Sequence, residues 1–141
     1  MNRYVLPLIL ALFTPTLALA TVAESCTANF SADGSFFKGK TFKTHIETIG
    51  VEFTDAFRRV AQAVAREGWA QVHADKELGQ ITATMDVANG KGSVVPLNVI
   101  MEDKGKGGVT AEAIMKLQAG KTASDDSARD ALCKVLVAAQ G

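Results

Sequence analysis

The stretch TFKTHIETIGVEFTDAFRRVAQAVAREGW, residues 41 to 69, changes its hydrophobic period half-way along. Up to residue 49, successive residues alternate between two faces, which predicts a strand with one buried side. One face carries Phe42, Thr44, Ile46 and Thr48, and the other carries Lys43, His45 and Glu47. From residue 53, apolar residues recur every three or four positions, which predicts an amphipathic helix that ends at Gly68. This step decides the fold, because the helix must cover the buried face of the sheet that the strand joins.

Four more strands are predicted after this helix, separated by turns that contain glycine. They comprise residues 69–74 (WAQVHA), 80–87 (QITATMDV), 93–102 (SVVPLNVIME) and 109–117 (VTAEAIMKL). The Asn89-Gly90 pair suits a tight hairpin, and strands joined in sequence by tight turns run antiparallel. Pro96 cannot donate a hydrogen bond to a neighbouring strand, so its strand is expected at a sheet edge or with a bulge.

A second amphipathic helix closes the chain after residue 124. Asp125 and Asp126 stand in its first turn, where the helix dipole favours anions. The resulting order is β-α-β-β-β-β-α. We therefore expect an α+β fold in a single small domain, residues 41–141, with a curved antiparallel sheet of about five strands and two helices packed on one face. This topology resembles TATA-binding-protein-like and helix-grip folds, and a fold by itself does not give a function.

Residues 1–20, MNRYVLPLILALFTPTLALA, have the pattern of a secretory signal peptide. Arg3 gives a positive start, an apolar core follows over residues 5–13, and Ala18-Leu19-Ala20 offers small residues for cleavage. The apolar run is about half of the roughly 20 residues that a transmembrane helix needs. We expect export to the periplasm and a mature chain that does not insert into the membrane; an uncleaved anchor is the alternative.

Three roles are open for Cys26: a lipid anchor, a disulfide with Cys133, or a free thiol. Bacterial lipoproteins carry Leu-small-small-Cys directly after the apolar core, and Ala23-Glu24-Ser25 departs from that pattern. Cys26 and Cys133 are the two cysteines of the chain, and an even count in an oxidising compartment favours a bridge. We predict a Cys26–Cys133 disulfide that ties the N-terminal segment, residues 21–40, to the domain. Residues 29–40 are expected to form a loop.

Charge and composition bound the class of partner. The 141 residues carry 15 basic and 15 acidic side chains. Removing the 20 residues of the leader, with Arg3, leaves 121 residues with 14 basic and 15 acidic side chains, a net charge of −1. Opposite charges are interspersed, so electrostatics gives no reason to expect a nucleic acid or an anionic membrane. The expected partner is another envelope or exported protein.

The sequence contains no motif for catalysis or for cofactor binding. GxSxG, HExxH, an EF-hand loop and a phosphate-binding glycine loop before a helix are all absent. The glycine-rich stretch DKGKGG, residues 103–108, lies between two predicted strands, where its glycines suit a turn. We therefore assign no catalytic, metal-binding or cofactor-binding residue.

A candidate binding face is predicted on the polar side of the sheet. Its members are Trp69, Gln71, His73, Thr82, Thr84, Thr110 and Glu112. Hydrogen-bonding side chains on rigid strands suit recognition of a polar partner, and tryptophan is frequent among the residues that dominate binding energy. Two structural alternatives stay open: a solvated face in which threonine simply favours strands, and a Trp69 that packs into the core over the helix end.

These features indicate an exported, non-enzymatic binding protein of the cell envelope, with a partner protein or an inhibitor-like role. One alternative is a metal- or histidine-dependent enzyme, in which His45 and His73 meet on the polar face beside a carboxylate. The other alternative is a small-ligand carrier with a cavity between the sheet and the helices, where the many alanines at core positions leave room.

Overall fold

The structure is a computed structural model that describes residues 20–87 and 93–141. The predicted signal peptide, residues 1–20, lies outside the described residues except for Ala20, and the predicted Asn89-Gly90 turn also lies outside them. The disulfide-tied N-terminal segment and the whole of the predicted domain apart from that turn can be described.

The described chain forms three α-helices and one six-stranded antiparallel sheet, in an α+β fold as predicted. The elements are α1 (Val22–Ala28), β1 (Ser31–Ser35), β2 (Gly39–Ile49), α2 (Phe53–Arg66), β3 (Ala70–Asp75), β4 (Gln80–Asp86), β5 (Val94–Gly105), β6 (Gly108–Leu117) and α3 (Asp125–Leu136), with a final 3₁₀ turn over Val137–Ala139. The sheet has six strands where about five were predicted, and the described chain has three α-helices where two were predicted.

The strand order across the sheet is β1-β2-β6-β5-β4-β3. Helix α2 carries the chain from β2 to β3 at the far edge, and the meander β3-β4-β5-β6 then returns until β6 pairs with β2. The sheet stays open, with β1 and β3 at its two edges. The strand that opens the sequence pattern, β2, is therefore an interior strand.

The additional helix and strand both come from residues 21–40, part of which was expected to be a loop. Thr21 and Glu24 form a capping box at the start of α1: the Glu24 N–H donates to Thr21 Oγ1, and the Thr21 N–H donates to Glu24 Oε2, both at 3.1 Å. In the β1–β2 hairpin a Cβ at Gly34, where φ is +107°, would lie 2.2 Å from the Gly39 carbonyl oxygen. Glycine at that position permits a hairpin in a segment that is otherwise polar.

Pro96 was expected to mark an edge or a bulged strand, and the edge prediction is wrong. Its strand, β5, lies between β4 and β6, and Pro96 stands opposite Thr84 of β4. The bulge in the β5–β6 pairing lies at the other end of the strand, between Asp103 and Gly105. Pro96 is the third residue of β5, and the pairing of β5 with β6 begins only at Leu97. At Pro96 only β4 is paired with β5, so the missing backbone donor does not interrupt the β5–β6 pairing.

The helices pack on one face of the sheet, as predicted, and bury its apolar residues. Two buried polar side chains on that face, Thr44 and Thr48, are both satisfied. Thr44 Oγ1 donates to the Cys26 carbonyl oxygen at 2.5 Å, and Thr48 Oγ1 donates to the Val109 carbonyl oxygen at 3.2 Å. Because an unpaired buried hydroxyl costs about 1–3 kcal/mol, these bonds explain how threonine is tolerated in the core.

The predicted Cys26–Cys133 disulfide is confirmed, with 5.8 Å between the two Cα atoms. It joins α1 to α3, and Cys26 is fully buried. A second tie fixes the end of the chain: the Arg59 guanidinium of α2 donates to the carbonyl oxygens of Ala138 and Ala139, at 3.0 and 2.6 Å. The positive charge there suits the negative end of the helix dipole. The three helices are therefore linked to one another as well as to the sheet.

Replacing both cysteines, in the variant C26A/C133A, is expected to lower the free energy of unfolding by about 2–5 kcal/mol. The bridge joins residues 107 positions apart, and its loss raises the conformational entropy of the unfolded chain. Urea unfolding followed by circular dichroism measures the change. Wild-type protein treated with a thiol reductant should match the variant; equal stability of all three samples would show that the bridge does not stabilise this fold.

Candidate functional site

The side of the sheet opposite the helices, here called the open face, is built from every second residue of each strand. One row across it contains His45, Glu112, Ile100 and Gln80, on β2, β6, β5 and β4 in turn. The next row contains Lys43, Ile114, Asn98, Thr82 and His73. Directly opposite side chains in such rows are about 4.5–5.5 Å apart at Cβ, so each row is a continuous strip of neighbouring side chains.

Five members of the predicted binding face lie on the open face. They are His73, Thr82, Thr84, Thr110 and Glu112. Thr82 stands between Asn98 on β5 and His73 on β3, and Glu112 stands between His45 and Ile100. The structure therefore brings these residues onto one surface, although Thr110 and Thr84 lie in different rows.

Trp69 does not lie on the open face: of the two interpretations left open for it, packing into the core is the one observed, and the exposed contact is not. Its side chain is 5 % exposed and belongs to the core under the helices. The cause is a β-bulge: Ala70 stands opposite Thr84 and His73 stands opposite Thr82, so two residues of β3 oppose one of β4. The extra residue inverts the alternation, which places Trp69 and His73 on opposite sides of the sheet.

Gln71 is the bulge residue with left-handed backbone geometry, at φ +50°. Its side chain remains near the open face, where Thr84 Oγ1 donates to Gln71 Oε1 at 3.4 Å. A non-glycine residue in this region of φ carries a backbone cost of about 1–2 kcal/mol. The bulge is therefore a strained feature that sets which side chains the edge strand β3 presents.

Two isoleucines near the middle of the open face were not recognised in the sequence. Ile100 is 38 % exposed, and Ile114 is half-buried. They stand on adjacent strands in neighbouring rows, because Ile100 pairs with Glu112 and Ile114 pairs with Asn98. Diagonal neighbours of this kind are within reach of each other, so the open face has an apolar centre.

Besides Glu112 in the central row, the open face carries charged side chains at both of its ends. Lys43 and Lys116 lie toward the start of β2 and the end of β6. Glu47 and Glu102 flank Thr110 toward the other end. There the ammonium of Lys104 donates to Glu102 Oε2 at 2.9 Å, and this hydrogen bond, with the attraction of the carboxylate, raises the pKa of Lys104. Lys43 and Lys116 thus stand at one end with Asp33 of β1, which pairs with Thr41, and Glu47 stands at the other end with the Glu102–Lys104 ion pair.

The two histidines do not meet. His45 lies on β2 and His73 on β3, with β6, β5 and β4 between them. At about 4.8 Å per strand this separates them by roughly 19 Å. Within residues 20–87 and 93–141, no group of three or more His, Cys, Asp or Glu side chains is arranged to hold a metal ion. The histidine pair proposed for an enzyme is therefore contradicted by the strand order.

A further exposed apolar feature lies at the tip of the β1–β2 hairpin. Phe36 is 50 % and Phe37 is 85 % exposed, and their rings contact edge to face with centroids 5.4 Å apart. The Phe36 carbonyl oxygen accepts a hydrogen bond from the Gly120 N–H at 2.7 Å, which ties the tip to the loop before α3. This aromatic tip extends beyond the end of the open face that carries Lys43.

Comparisons of the chain with family models, with curated proteins and with solved structures find no match. The open face, its apolar centre and the charges around it are therefore interpreted from their own chemistry.

Substitutions at the bulge test whether residue 71 has left-handed backbone geometry. Gln71→Gly should stabilise the fold by up to about 1 kcal/mol, because glycine adopts φ +50° without strain, whereas Gln71→Val should destabilise it by at least about 1 kcal/mol. Both variants lose the Thr84 hydrogen bond, so their difference in urea unfolding isolates the backbone effect. Equal stability of the two variants would show that residue 71 does not have left-handed geometry.

Proposed function

We propose that this chain is an exported, non-enzymatic binding protein of the cell envelope that recognises a partner protein through the open face of its sheet. The observation that carries the proposal is the apolar centre at Ile100 and Ile114, surrounded by hydrogen-bonding and charged side chains. Stable protein interfaces have this arrangement, an apolar centre with a polar rim. A sheet face that contacts only solvent gains nothing from an apolar centre.

Rigidity of the open face supports the same function. Thr82, Asn98 and Thr110 stand on β4, β5 and β6, and β5 and β6 are paired on both sides. The Gln80 side-chain amide also donates to Asn98 Oδ1 at 3.0 Å, which orders two side chains between the strands. Side chains that are already ordered lose less conformational entropy when a partner binds.

The charge distribution indicates the chemistry of the partner. A surface that fits has an apolar patch opposite Ile100 and Ile114, acidic side chains opposite Lys43 and Lys116, and a basic side chain near Glu47. The aromatic tip at Phe36 and Phe37 extends past the end that carries Lys43 and Lys116 and offers a second apolar contact there. Charges placed in this way fix the orientation of a partner more than they raise its affinity.

Export is supported by the leader pattern of residues 1–20 and by the Cys26–Cys133 bridge, since disulfides persist in oxidising compartments. In the described part of the chain, no helix has the length and apolar character needed to cross a membrane. A periplasmic location is part of the proposal and is supported by the leader pattern and by the disulfide.

Substituting either isoleucine by aspartate should weaken partner binding strongly, because it places a charge at the centre of the interface. For each of Ile100→Asp and Ile114→Asp we expect the dissociation constant to rise at least about 30-fold, corresponding to about 2 kcal/mol at a central contact. Immobilised wild-type and variant proteins are exposed to envelope extract of the producing cells, and proteins retained by wild type alone are identified by mass spectrometry and titrated individually.

The matched control is Leu78→Asp, which changes an equally apolar side chain, 71 % exposed, in the turn between β3 and β4 and away from the open face. A partner of the open face is retained by wild type and by this control and is lost with both isoleucine variants. Retention of the same protein with unchanged affinity by Ile100→Asp and Ile114→Asp would contradict the proposal.

A further inference from the structure

A cavity of about 210 Å³ lies on the other side of the sheet, between the first turns of α3 and the ends of β4, β5 and β6. Its wall is almost entirely apolar. Trp69, Met85 and Met115 form the side toward the sheet, and Ala128 and Ala131 form the side toward the helix. The cavity and the open face are separated by the sheet itself, so the two can be occupied independently.

Trp69 follows the C-terminal end of α2 and lies in the wall of this cavity. Gly68, at φ +89°, turns the chain out of the helix, and the Trp69 N–H then donates to the Val64 carbonyl oxygen at 3.3 Å. This pairing across the helix end is typical of a glycine-terminated helix. The β3 bulge keeps the indole on the helix side of the sheet, so the single tryptophan of the chain is part of the cavity wall.

Small side chains on α3 keep the cavity open. The part of the helix that follows residue 131 is packed tightly, with Leu132 and Leu136 fully buried and Cys133 bridged to α1. The earlier part contributes only the small side chains of Ser127, Ala128 and Ala131 to the cavity lining. A helix fixed by its second half cannot close the gap at its first half, because packed interiors resist such movement.

We infer that this cavity binds a small, uncharged organic molecule with an apolar body of about ring size. An apolar cavity of about 150 Å³ is large enough for benzene, so 210 Å³ takes a substituted ring or a short alkyl chain. The polar side chains of its lining, Asp86, Thr122 and Ser127, are exposed and therefore stand at the mouth. A buried charge on the ligand would lack a partner, whereas one hydroxyl group can reach Thr122 or Ser127.

The sole tryptophan allows a direct binding test with 4-bromobenzyl alcohol as the probe. Bromine quenches tryptophan emission on contact, so occupation of the cavity should quench Trp69 along a saturating curve. For a ligand of this size we expect a dissociation constant on the order of 0.1–1 mM. Free N-acetyl-tryptophanamide should show only the linear quenching that random collisions produce.

Ala131→Phe fills the cavity from α3 and should weaken the probe at least tenfold. Ala65→Phe is the matched control, because Ala65 is an exposed alanine on α2 outside the cavity lining, and it should bind like wild type. If Ala131→Phe loses its helical circular dichroism signal, the variant Val95→Phe is used in its place, because Val95 lines the same cavity from β5.

Linear quenching of wild-type protein, or saturating quenching that is unchanged in a folded cavity-filling variant, would overturn the inference. Neither result bears on partner binding by the open face, since all the substitutions in this test lie away from Ile100 and Ile114.

Discussion

The pairing of β2 with β6 is the constraint on which the rest of the structure depends. The two strands pair from Lys40 opposite Leu117 to Ile49 opposite Gly108, and they join the start of the domain to the end of the meander. Their register decides which side of the sheet faces the helices. A slip of one residue would turn one of the two strands over. Either Ile46 of β2 would move to solvent, or Ile114 of β6 would move into the core and Met115 would leave the cavity wall.

Much of this fold could be predicted from local patterns, because periodicity reports directly on burial. The alternation of β2 and the helical stripe of α2 correspond to the observed faces. The N-terminal helix and strand are not predicted from the sequence, although Thr21 with Glu24 is a recognised capping signal; Asp33 and Gly34 lie inside the paired strand β1 and not in its turn. A polar segment of this kind is ordered by the bridge to Cys133 and by pairing with β2, which are long-range interactions.

The face on which a side chain lies could be predicted where a strand is regular. It could not be predicted where a bulge or the register between strands decides it. Thr82, Thr110 and Glu112 follow strict alternation and lie on the open face. The bulge at Gln71 leaves no mark in the sequence, since glutamine is not expected at positive φ, and it moved Trp69 into the core. The apolar centre requires the register of β5 against β6, because Ile100 and Ile114 are isolated residues in their own strands and only the register places them in adjacent rows.

We propose a different kind of recognition for each side of the sheet: a partner protein on the open face and a small molecule in the cavity. The isoleucine δ1-methyl groups report on both sides in one NMR spectrum of labelled protein. On addition of envelope extract, the account predicts that Ile100 and Ile114 broaden or shift, while Ile46 and Ile81, which are buried under the helices, do not. Unchanged signals from Ile100 and Ile114 while another methyl group responds would contradict the open face as the surface that binds a partner.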